Sequence, residues 1–181
     1  MSQIKNKINW CLNKAKKELA DSGKHRGLVL IKPNKEKAKE FIEKAEHYLE
    51  ATLLLKEKFS DISATTTFYS IYHSLLAILT KFGYESRNQE CTFAAVYSLI
   101  ENKKINIDKS EMDKIALLSS KDSEDKESVI EIREKYQYGT DLTMREDLYN
   151  STLILAKDIL GKTKEIIERD AKEVKDEKEK K

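Results

Sequence analysis

Apolar residues recur at spacings of three and four along most of this chain, and strict alternation is almost absent. The pattern predicts a succession of amphipathic helices. The first covers residues 2–20, with Ile4, Ile8, Cys11, Leu12, Ala15 and Leu19 on one face, and Ser22, Gly23 and Gly27 end it. Residues 28–31 form a short β-prone run before Pro33. The sequence shows no second strand to pair with it, so it is read as an ordered connector packed on the helices. A long helix then begins after Asn34, a side chain suited to the N-cap. It carries Ala38, Phe41, Ile42, Ala45, Tyr48, Leu49 and Thr52 on one face as far as about Phe59.

The next helix, capped by Asp61 or Ser63 and closed by Gly83, is apolar nearly all round and is predicted to be the most buried element. A shorter helix covers residues 89–101, and another starts at Asp108, where Glu111 completes a capping-box pattern. Residues 121–126 are polar and charged, as expected of a mobile internal loop. A helix over residues 127–138 carries Arg133 and ends at Gly139. Thr143 with Glu146 makes a second capping box, which opens a last helix through Leu148, Leu153, Ile154, Ile159 and Leu160. Gly161 is expected to weaken or bend that helix. The predicted architecture is an all-α, up-and-down helical bundle. Residues 1–32 form an extra N-terminal helix and connector, residues 33–168 the bundle, and residues 169–181 a charged, frayed tail.

Composition supports this picture, with one proline and five glycines in 181 residues. The net charge of +2 creates no global field for nucleic acid or membrane, but its distribution is uneven. Residues 1–40 hold eleven Lys or Arg against four Asp or Glu. This basic part suits an RNA backbone or an acidic partner, although lysines on solvated helix faces produce the same count. Cys11 and Cys91 are too few and too far apart in sequence for a disulfide framework or a zinc site, which implies a reducing, cytoplasmic setting. Cys91 is read as a small buried residue. Residues 68–79, the most apolar helix, are interrupted by His73 and too short to span a bilayer, and no apolar leader is seen at the start, so no membrane association is expected.

The candidate chemistry centres on EIREKYQYGT, residues 131–140. An arginine such as Arg133 can grip phosphate with a planar fork of donors, and a general acid or base one or two turns further on would allow RNA cleavage. Here Tyr136 and Tyr138 follow Arg133, and no histidine follows His73. Phe68, Tyr69, Tyr72, Tyr136 and Tyr138 can stack bases, or equally form core and subunit contacts. His25, His47 and His73 lie in different elements without a second ligand at helical spacing, so no metal is expected. No glycine-rich phosphate loop is present, and no cofactor is implied.

FYSIYHSLLAILTKFGYE, followed about fifty residues later by IREKYQYG, resembles the HEPN superfamily. INWCL near the start and ECT at residues 90–92 are similar to an archaeal-type branch of it, and the resemblance covers roughly residues 34–165. It implies a helical bundle that pairs as a homodimer, the arginine helices of both subunits lining a shared cleft. Active members carry a histidine four to six residues after the arginine and cleave RNA without metal. Toxin members are neutralised by a nucleotidyltransferase antitoxin. Carried over, Arg133 matches the arginine and Tyr138 occupies the first histidine slot, with Gly139 and Thr140 in the next. A tyrosine of ordinary pKa is a poor base at neutral pH. The expected function is therefore a non-catalytic or weakly active dimer that binds RNA, a nucleotide or a partner protein. Its ligand-binding residues would be Arg133, Tyr136, Tyr138, His73, Tyr69 and Tyr72, with Arg133 and Tyr138 as the catalytic pair if any cleavage occurs. A metal-independent endoribonuclease toxin and a purely structural interaction module are the alternatives.

Overall fold

The computed structural model describes residues 3–116 and 127–169. The loop expected over residues 121–126 and nearly all of the expected charged tail lie outside them. Seven helices occur within these residues: α1 Gln3–Ser22, α2 Lys35–Leu55, α3 Ser60–Lys81, α4 Gln89–Glu101, α5 Lys109–Ile115, α6 Val129–Tyr138 and α7 Glu146–Glu168. The fold is all-α apart from a small two-stranded sheet. Among the described residues no helix is long and apolar enough to cross a membrane.

The central element is α3, which packs against α2, α7, α6 and α4. It supplies Phe68, Ile71, Leu75, Ile78 and Leu79 to the core. A helix that is apolar on most sides is stable only when other elements cover it, so the sequence places α3 at the centre. Local signals set most helix ends. Asn34 caps α2 by accepting from the Lys37 amide at 2.9 Å, and Asn88 caps α4 by accepting from the Cys91 amide at 3.0 Å. Asp108 with Glu111 forms the expected capping box, and Ser128 with Glu131 forms one on α6 that the sequence reading did not identify.

Two expectations about helix ends are corrected. The α3 helix starts at Ser60, ahead of Asp61 and Ser63, and Ser63 instead donates to the Thr52 carbonyl of α2. Thr143 does not cap α7, whose N-cap position is Arg145, with no side-chain cap. Gly161 lies within an unbroken α7.

The reading of residues 28–31 as an unpaired connector is also overturned. Leu28–Leu30 (β1) pairs antiparallel with Tyr84–Ser86 (β2), in the register Leu28 to Ser86, Val29 to Glu85 and Leu30 to Tyr84. Gly83 makes this possible by ending α3 at a φ of +82°. A Cβ there would also lie 2.9 Å from the Ile31 carbonyl oxygen. Gly83→Ala is expected to cost about 1–3 kcal/mol, since left-handed backbone and a steric clash act together. Gly161→Ala, in open space on α7, is expected to stabilise by up to ~1 kcal/mol. Chemical denaturation of the two variants measures the contrast.

The largest correction concerns the cysteines. Cys11 of α1 and Cys91 in the first turn of α4 form a disulfide, with Cα atoms 5.9 Å apart and both side chains fully buried. Cysteine spacing reports only separation along the chain, whereas pairing depends on how α1 lies against α4. The bond removes the ground for expecting a reducing setting. It also fastens the N-terminal helix to the bundle.

Candidate functional site

Arg133 projects from α6 toward α3 and α4. Its guanidinium carbon sits 4.4 Å from the centre of the Phe68 ring, Nη1 donates to Gln89 Oε1 at 3.2 Å, and Nη2 pairs with Glu134 Oε1 at 3.0 Å. The side chain is 12% exposed, and Nε is buried without a hydrogen-bond partner. An arginine offers five N–H donors in a rigid fork. Two are engaged here, so the guanidinium is held in place with donors still available.

The half-buried side of α3 continues from Phe68 as a series of rings. Tyr72 stacks on Phe68 at 5.7 Å, and its hydroxyl shares a hydrogen bond with Thr92 at 3.2 Å. Burial raises the Tyr72 pKa above the ordinary tyrosine value, a shift that the Thr92 bond opposes. His73 lies nearly parallel to Tyr48 of α2, with centroids 5.3 Å apart and 9° between planes, and close to Phe41 at 5.9 Å. Desolvation, then the neighbouring Lys44 charge, lowers the His73 pKa, so the imidazole is neutral at physiological pH. Its Nδ1 is buried and unpartnered. Tyr69 joins the same group, 5.2 Å from Tyr48.

The expected site residues therefore divide. Arg133, Tyr69, Tyr72 and His73 belong to one connected surface, although the described contacts link Arg133 to His73 indirectly, through Phe68 and then Tyr69 or Tyr72. Tyr136 is a correction: it is buried with Ala64, Ile132, Met144 and Tyr149, and its hydroxyl accepts from the Arg145 amide at 3.1 Å. It faces α3 and α7 because it sits one turn beyond Ile132 on the same apolar side of α6. Tyr138 is 75% exposed at the end of α6 and takes no part in the ring contacts. Gln89, Tyr48 and Phe41 were missed as site residues. Phe41 and Tyr48 stand seven apart on the apolar face of α2, where periodicity alone reads them as core.

A cleft of about 540 Å³ lies next to Arg133. Gln3, Ile4 and Lys7 of α1 form one wall, and Gln89, Glu90 and Phe93 of α4 another. Gln89 thus touches both the cleft and the arginine. Tyr97 also lines it, donating toward Asp113 Oδ1 and the Ala116 carbonyl, and burial with that carboxylate pushes its pKa far up. Among the described residues no group of three or more His, Cys, Asp or Glu is placed to hold a metal ion. No protein-family model matches the chain, and no curated protein matches it.

Proposed function

We propose that this chain is a HEPN-like, dimeric module that binds a phosphate-bearing ligand, RNA or a nucleotide, where Arg133 lies over Phe68, with little or no cleavage activity. The observation that carries this reading is the guanidinium itself, fixed by an aromatic ring, by Gln89 and by Glu134, while Nε has no hydrogen-bond partner. Preorganised charge-assisted donors of this kind suit phosphate oxygens. Tyr69, Tyr72 and His73 supply an adjacent aromatic surface for a base. Pairing of two copies, and a nucleotidyltransferase antitoxin as partner, rest on the sequence resemblance.

The ribonuclease alternative needs a proton-transfer group beside the phosphate. Tyr138 points to solvent, and His73 lies beyond the ring of Tyr72. The structural alternative draws on the Arg133–Glu134 ion pair and the burial of Tyr136. Incubating the protein with a mixed RNA pool in EDTA, beside anisotropy titrations of labelled RNA, separates the three. Intact RNA in every lane is expected. Arg133→Ala should weaken binding roughly 10- to 150-fold, corresponding to ~1.5–3 kcal/mol for hydrogen bonds to a charged group. Cleavage that disappears in Arg133→Ala would make the protein a nuclease. Unchanged affinity with a lowered unfolding temperature would make Arg133 structural.

A further inference from the structure

We propose that the outward face of α1 around Trp10 is a docking surface for single-stranded nucleic acid, continuous with the cleft beside Arg133. This deepens the RNA reading above and rests on it for the identity of the polymer. The placement of α1 is independent of that reading.

Trp10 is the single tryptophan of the chain and is 49% exposed. Lys7 Nζ lies 4.8 Å and Lys14 Nζ 5.1 Å from its ring centre. Asn6, Trp10, Asn13 and Lys17, at spacings of four, three and four, form one exposed stripe. Cys11 and Ala15, on the opposite side, are buried, and the disulfide holds that side against α4. The stripe is therefore presented on a fixed helix. Five lysines against Glu18 and Asp21 give α1 a positive excess. That charge suits a phosphate backbone, while an exposed indole beside amide side chains suits stacked bases.

Magnitudes favour exchange of the present contacts for a ligand. An exposed cation–π contact is weaker than base stacking on an aromatic side chain, and lysine stems swing easily to meet phosphates. From Trp10 the path runs to Lys7, into the cleft and on to Gln89, which holds Arg133. The acidic groups along it are engaged, Glu90 with Lys7 and Asp113 with Tyr97. A membrane surface fits less well, because one ring among asparagines and lysines does not make the continuous apolar stripe that insertion requires.

Trp10 reports on its own site. Titrating full-length protein with an oligouridylate of about 15 nucleotides should quench its fluorescence saturably, and added salt should weaken the effect. Trp10→Leu should lower affinity roughly 5- to 150-fold in anisotropy of the labelled oligonucleotide, with an unchanged circular dichroism spectrum. Binding that depends on Arg133 but leaves Trp10 emission and the Trp10→Leu affinity unchanged would overturn this surface and keep the proposed function. Quenching that persists in Arg133→Ala at full affinity would keep the surface and overturn the Arg133 reading. A blue shift with anionic phospholipid vesicles and none of the RNA effects would assign α1 to membranes instead. No binding of the oligonucleotide overturns both.

Discussion

Replacing Cys11 and Cys91 together by alanine is expected to lower stability by about 4 kcal/mol and the unfolding temperature by roughly 8–16 °C. The bond closes a loop of 80 residues. For that length the chain-entropy model gives ~4.5 kcal/mol, because the cross-link removes expanded conformations from the unfolded ensemble. Both sulfurs are inaccessible, so reductant should act slowly on the native protein and fully only once α1 has detached. Thermal unfolding of wild type and the double variant, each with and without reductant, measures the effect. The two proteins should coincide when reductant is present. Equal midpoints without it would mean that packing of Ile4, Ile8 and Leu12 holds α1 unaided.

Phe68→Ala should cost about 3–5 kcal/mol, the usual range for deleting a buried aromatic ring. Phe68 is fully buried in the core, edge-on to Tyr69 at 5.4 Å, stacked on Tyr72 and covered by Arg133. Its loss opens a cavity under the proposed site, so folding and binding would fall together. Phe68→Leu separates them, since a leucine fills most of the volume at a smaller cost in stability but offers no π face to the guanidinium. The leucine variant should stay folded in urea titrations and bind labelled RNA more weakly than wild type. Wild-type affinity in that variant would show that Gln89 and Glu134 alone position Arg133.

How far the site was legible follows from what each signal measures. The placement of Arg133 on a helix, and the aromatic side of α3, came from spacing within one element. Separating Tyr136 from Tyr69 and Tyr72 was not possible on that basis. All three stand at helical positions among apolar neighbours, and only the packing of α6 on α3 sends Tyr136 into the core with Met144 and Tyr149. Tyr48 and Gln89 escaped notice for the converse reason. Their roles arise from contacts with His73 and Arg133, which lie on other elements.

The sequence by itself determined the helices, the central burial of α3, the caps at Asn34 and Asp108 and the basic character of α1. These are properties of side chains three and four apart, and a helix expresses them wherever it is docked. Only the tertiary structure decided that β1 meets β2, that Cys11 meets Cys91, and that Arg133 rests on Phe68 beside a cleft walled by α1 and α4. Each of these joins residues far apart in the chain, through the angles and depths at which whole helices pack. Such distances are fixed by the joint burial of many apolar faces at once, and no local window of sequence contains them.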